Sequence, residues 1–105
     1  MRSKRNGNVT IASNLVVRNG KVVAIEAAVS ACSPKDQFSK KTGRRIAESR
    51  LFDQDSRWYR EYPLRQNRDY SAGELNDILT LMVLTSIEMP DWFDPDVWTY
   101  EIGYF

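Results

Sequence analysis

Apolar and polar positions alternate through residues 9–31, with one interruption at Asn19-Gly20. Both flanking stretches, 9–18 and 21–31, are rich in β-branched residues, and Asn-Gly between two such runs is a strong hairpin signal. The register follows from which face each residue must occupy. A two-residue loop sets Val17 opposite Val22 and splits Leu15 and Ile25 between faces; a three-residue loop over 19–21 pairs Val17 with Val23 and Leu15 with Ile25. The second register gathers Val9, Ile11, Leu15, Val17, Val23, Ile25, Ala27, Val29 and Ala31 on one face, with Thr10, Asn14 and Glu26 near the other, and is the predicted one.

Period two then gives way to helical spacing. Ser33-Pro34 reads as an N-cap followed by proline at the first helical position, with Asp36 in the first turn where the helix dipole favours an acid. This predicts a helix to about Phe52, weakened or interrupted at Gly43. Residues 57–70 have no clean period and contain Pro63, so they read as an irregular connection or a short edge strand. Ser71-Ala-Gly-Glu74 is a capping box, opening a central helix to Met89 that is apolar on nearly every side beyond Leu79. Pro90 ends it, and 97–105 reads as a last strand with Trp98, Tyr100 and Ile102 on one side. Together these elements predict an α+β fold: an N-terminal antiparallel hairpin, two helices and a C-terminal strand joining a small sheet. Residues 1–8 are small, polar and basic and are expected to fray, leaving one domain over 9–105.

Charge changes the picture more than composition does. All fifteen basic residues lie at or before Arg68, against six acids there, whereas 69–105 holds eight acids and no base; the net charge of +1 conceals two opposite poles. Such asymmetry points to an anionic partner for the basic half, or to halves that neutralise each other in the fold. Six of the twelve aromatics fall in 92–105, the density of a packed seam or a subunit contact. With the apolar run 75–89, that seam predicts a homo-oligomer in which a second copy completes a modest core. The single Cys32 excludes an internal disulfide and reads as a small buried hydrophobe at a strand end. No stretch reads as a signal peptide or as an apolar span of about 20 residues, so a soluble protein without a membrane partner is expected.

Candidate chemistry concentrates in 38–70. On a helical wheel, Phe38, Thr42, Ile46, Ala47 and Leu51 form the inward arc, with Ser39, Gly43 and Arg50 inside it; Lys40, Lys41, Arg44, Arg45 and Glu48 face away. An inward arginine needs an acid or a ligand anion at its guanidinium, so Arg50 predicts either an internal salt bridge, for instance to Glu26, or an anion site. Gly43 in mid-helix marks a close backbone approach or a plain break. Lys40, Lys41, Arg44 and Arg45 form either a solvated face or a phosphate-binding one. Further along, Arg57, Arg60, Arg65 and Arg68 interleave with Trp58, Tyr59, Tyr62 and Tyr70, a pattern suited to stacking a nucleobase over a bound phosphate and equally to edge-strand packing. The candidate ligand set is Phe38, Lys41, Arg44, Arg45, Arg50, Arg57, Trp58 and Arg60. Catalysis has no comparable support, because histidine, a Gly-rich phosphate loop, paired cysteines and an activated Ser or Cys are all missing from the sequence. Asp91, Asp94 and Asp96 match no EF-hand spacing and read as turn chemistry, so no metal or cofactor is expected.

Residues 29–51 resemble a segment of small bacteriophage proteins, the Thoeris anti-defence sponges. The marks are Lys35-Asp36-x-Phe38 and Gly43-Arg44-x-Ile46-Ala47-x-x-Arg50. The resemblance implies an oligomeric, non-enzymatic protein in the cytoplasm of an infected bacterium, caging a cyclic ADP-ribose-like or cyclic nucleotide signal without cleaving it. It implies phosphate contacts at Arg44, Arg45 and Arg50 and a packing or stacking role for Phe38. The alternative from the residues is a protein-binding inhibitor of a bacterial defence complex, of anti-CRISPR type, docking by the basic helix or the acidic half. A plain nucleic-acid module fits poorly with a nearly neutral chain.

Overall fold

A computed structural model of the chain describes residues 7–35 and 39–105. The elements run β1 (Asn8–Arg18), β2 (Lys21–Cys32), α1 (Lys40–Leu51), β3 (Tyr59–Pro63), α2 (Ala72–Ser86) and β4 (Thr99–Tyr104). One four-stranded sheet has the order β3-β2-β1-β4, with β4 parallel to β1 and the other pairs antiparallel. The architecture is α+β, with the N-terminal hairpin at the centre of the sheet and the C-terminal strand at one edge. Pro63, which lacks an N–H, closes β3 at the other edge, where a missing donor is tolerated.

The hairpin takes the two-residue loop and keeps only part of the predicted pairing. Asn19 (φ 54°) and Gly20 (φ 75°) form a two-residue turn of the primed type, and Val17 pairs with Val22. The three-residue loop is therefore not formed. A β-bulge between Val16 and Val17 then shifts the ladder, so that Leu15 still meets Ile25 and Ile11 meets Val29. Past the bulge the parity of β2 changes, and Val22 replaces Val23 opposite Val17.

Both faces of the sheet are covered, which the alternation of one apolar and one polar face did not anticipate. On one face Val9, Ile11, Ile25, Ala27 and Val29 pack with Leu64 and with Leu79, Met82, Val83 and Ile87 from α2 and its exit. On the other, Ala12 and Ala28 meet Ala47 and Leu51 of α1 and Tyr59 of β3. Gly43, Ala47 and Leu51 are the buried stripe of α1, so small residues on helix and sheet let the two approach closely. The helix runs through Gly43 without a break, and the Gly43 N–H donates to Ser39 O at 2.9 Å. Thr42 and Ile46, expected inward, are exposed, because the stripe is narrower than the predicted arc.

Other boundaries also move. The N-cap of α1 is Ser39, whose Oγ accepts from Thr42 N at 3.3 Å; Ser33 instead accepts from Lys35 N at 3.2 Å and makes a local turn. Asp36 and Phe38 lie outside the described residues, as do the first six of the eight expected to fray. Gly7 is buried and Asn8 already belongs to β1. At the start of α2 the capping box forms as expected between Ser71 and Glu74. This helix is an outer layer and not a central one: Leu81 is 55% and Leu84 42% exposed. Trp92, Phe93, Trp98 and Tyr100 form a run of edge-to-face and tilted contacts with centroids 4.6–6.4 Å apart, and Phe93 and Trp98 pack against the main core. At least that part of the aromatic seam is filled within the chain. None of the described helices is long and apolar enough to cross a membrane.

Candidate functional site

Arg50 occupies the last turn of α1, where the helix dipole favours a cation. Its position answers a need of the sheet. Val29 N donates to Trp58 O at 3.2 Å, so the Val29 carbonyl points the same way, beyond the end of the β2–β3 ladder. Trp58 N, which would normally fill that carbonyl, donates to Ser56 Oγ at 3.1 Å. Arg50 Nη1 replaces it, donating to Val29 O at 2.7 Å. Glu26, the expected carboxylate partner, accepts from the Tyr59 hydroxyl at 2.6 Å instead. Burial, then the hydrogen bond to Glu26 and its charge, hold the Tyr59 hydroxyl well above the usual tyrosine range.

The same guanidinium lies 4.8 Å from the centroid of the Trp58 ring, and the Arg57 guanidinium lies 4.7 Å from it. The two charges therefore stand no more than about 9.5 Å apart. At that limit their repulsion is about 0.4 kcal/mol in water and ~1.7 kcal/mol at an effective dielectric of 20. Burial first, and the Arg57 charge second, push the Arg50 pKa down. Among the described residues no carboxylate forms an ion pair with either arginine. Two like charges at one indole ring, without an ion-paired acid among the described residues, make an arrangement that an anion would relieve.

The remaining candidate residues are distributed elsewhere. Arg44 Nε donates to Glu101 Oε1 at 2.6 Å and Lys40 approaches Glu101 at 3.8 Å, which ties α1 to β4 at the opposite side of the sheet. Thus the basic and acidic poles meet within one chain, at least at this point and at the Arg68–Glu74 pair. Lys41 and Arg45 are exposed on α1. Arg60 is spent on structure: Nε donates to Ser86 O at 3.0 Å, closing the C-terminus of α2, and Nη1 donates to the carbonyls of Arg57 and Tyr59. The structure therefore brings together Arg50, Arg57 and Trp58 and separates them from Arg44.

A second set of residues gathers where the sequence carried little signal. Two adjoining open grooves, of about 450 and 390 Å³, share Leu64, Arg65, Arg68 and Tyr70. The interleaved arginines and tyrosines pointed to part of this wall. The contributions of Leu15, Lys21, Val22 and Leu75 depend on the bulge and on how the 64–70 loop folds back, and neither is visible in composition or period. No known protein family, curated protein or solved structure matches this chain.

Proposed function

We propose that this protein is a non-catalytic binder of an anionic, nucleotide-type ligand, with Arg50 and Arg57 as the charge contacts and Trp58 as the apolar face beside them. The observation that carries the reading is the pair of guanidiniums against one indole ring with no ion-paired carboxylate among the described residues. Of the candidate cations, Arg44 has its own acid and Arg60 donates to three carbonyls, whereas Arg50 gives only Nη1 to one carbonyl among the described residues; Arg50 and Arg57, with exposed Lys41 and Arg45 of α1, remain. The likeness of residues 29–51 to the Thoeris anti-defence sponges supports a cyclic ADP-ribose-like or cyclic nucleotide signal as the ligand, and a phage counter-defence role. Sequestration demands tight binding and no turnover, and the sequence contains no histidine and no activated nucleophile to turn a ligand over.

Titration calorimetry with cyclic ADP-ribose and with cyclic dinucleotides tests this directly. A charge-assisted hydrogen bond is worth about 1.5–3 kcal/mol, so Arg57→Glu is expected to weaken binding by roughly 10- to 100-fold or more. Arg57 is exposed, and the variant should fold normally. Equal affinity in the variant and the parent would remove Arg57 from the site.

The second reading, a protein-binding inhibitor of a bacterial defence complex, is favoured by Leu81 and Leu84, which stand open on the outer side of α2. Leu81→Asp separates the two readings: it should leave nucleotide binding intact and abolish association with a defence protein.

A further inference from the structure

The groove between the hairpin tip and the 64–70 loop shares no residue with Arg50, Arg57 and Trp58. Its apolar floor is a product of the bulge in the hairpin. Because β2 changes parity there, Val22 joins Leu15 on one face, and both are about 40% exposed (Leu15 38%, Val22 40%). Leu64 and Leu75 complete the floor, and Tyr70 stands as the wall beside it.

The opposite wall is held in place by a chain of bonds. Leu64 N donates to Val23 O at 2.9 Å, which anchors the loop to β2. Arg65 N donates to the Tyr70 hydroxyl at 3.0 Å, closing the loop on itself. The Arg68 guanidinium covers the Tyr70 ring at 4.6 Å and pairs with Glu74, which is itself fixed by the capping box of α2. Tyr70 is thus a wall whose position is set from three sides.

Charge is distributed unevenly at the rim. Lys21, Arg65 and Arg68 carry three positive charges against Asp69. Arg68 has Glu74, whereas Lys21 and Arg65 form no ion pair among the described residues. A volume of about 390 Å³ lies within the range of small-molecule sites, roughly 300–1,000 Å³, and is too small for a folded partner.

We infer that this groove is a second binding site, for a small amphipathic organic anion: a flat apolar body seated on Leu15, Val22 and Leu64 against Tyr70, with one carboxylate, sulfonate or phosphate group at Lys21 and Arg65. Apolar surface alone would take a neutral molecule equally well; the two unpaired cations at one rim set the preference for an anion.

The probe is anilinonaphthalene sulfonate, which has a flat apolar body and one anionic group, compared with its uncharged parent N-phenylnaphthylamine. Fluorescence titration of the folded full chain should show one saturable sulfonate site per protomer and at least tenfold weaker binding of the neutral dye. The exposed double variant Lys21→Glu/Arg65→Glu should weaken the sulfonate at least tenfold, with unchanged circular dichroism. The control Lys35→Glu, exposed past the other end of β2, should leave it unaltered. Equal binding of the neutral dye, an unaffected Lys21/Arg65 variant, or no saturable site in the parent would overturn the inference. A sedimentation mass of two chains that falls to one in Leu15→Asp would also overturn it, since a second copy would then fill the groove.

Discussion

Gly7 sits where a side chain has no room, and replacing it makes a sharp test of the packing. A Cβ at this position would lie within 2.6 Å of Cys32 O and 2.5 Å of the Trp92 ring at Cζ3 and Cη2. Neither obstacle yields cheaply. The carbonyl belongs to the end of β2, and the indole leans edge-on against Phe93, which packs on the core. Gly7→Ala must therefore displace β1 from β2 or rotate Trp92, and overpacking of this kind costs about 1–3 kcal/mol. Gly73 in the first turn of α2 gives the matched opposite case. Its nearest neighbour for a new Cβ is Ser71 Oγ at 3.9 Å, ordinary contact, and its φ needs no glycine. Gly73→Ala should stabilise by about 0.4–1 kcal/mol through the unfolded chain. For a domain of this size each kcal/mol moves the Tm by roughly 4–8 °C, so thermal denaturation followed by circular dichroism should separate the two variants by well over 5 °C, with opposite signs relative to the parent. A Gly7→Ala protein as stable as the parent would refute the packing of Gly7 beneath Trp92.

Three further outcomes follow from the bonds described. Ser71→Ala removes the capping box of α2 and should cost about 1 kcal/mol in a urea titration. Tyr59 is held protonated in the fold, so its contribution is fully present below the unfolded pKa near 10 and is lost as pH rises through the higher folded value; the alkaline limb of the stability curve should flatten in Tyr59→Phe. The Arg44–Glu101 pair is largely exposed on the arginine side and should contribute about 0.2–1 kcal/mol, falling as salt is raised, as measured by a double-mutant cycle.

The elements that the sequence reveals most clearly are those specified by a local signal. Asn19-Gly20 marks the hairpin, Ser71 and Glu74 mark the start of α2, and Pro63 confines β3 to an edge. Where a local signal and tertiary packing disagree, packing decides. Ser33-Pro34 reads as an N-cap and Ser39 as a residue within the helix; the helix is instead capped by Ser39, and Gly43, Ala47 and Leu51 form its stripe over Ala12 and Ala28. Alanine is the reason the second core was hidden: Ala12, Ala28 and Ala47 read as neutral in a hydropathy pattern, yet together they make a closely packed layer. In the candidate site, the arginine–aromatic interleaving of 57–70 was legible, and so was the oddity of Arg50. Its partner was not, because a carbonyl left over at the end of a ladder has no signature in the sequence. Nor does a β-bulge, although this one sets which hairpin residues face the 64–70 loop.

Holding a ligand without altering it is the central claim, and recovery of the ligand tests it most directly. The protein is loaded with cyclic ADP-ribose, freed of excess by gel filtration and heat-denatured, and the released small molecule is weighed by mass spectrometry. The account predicts near-stoichiometric return of the unaltered ligand from the parent protein and little from Arg57→Glu. A hydrolysed product, or no retained ligand in the parent, would contradict it.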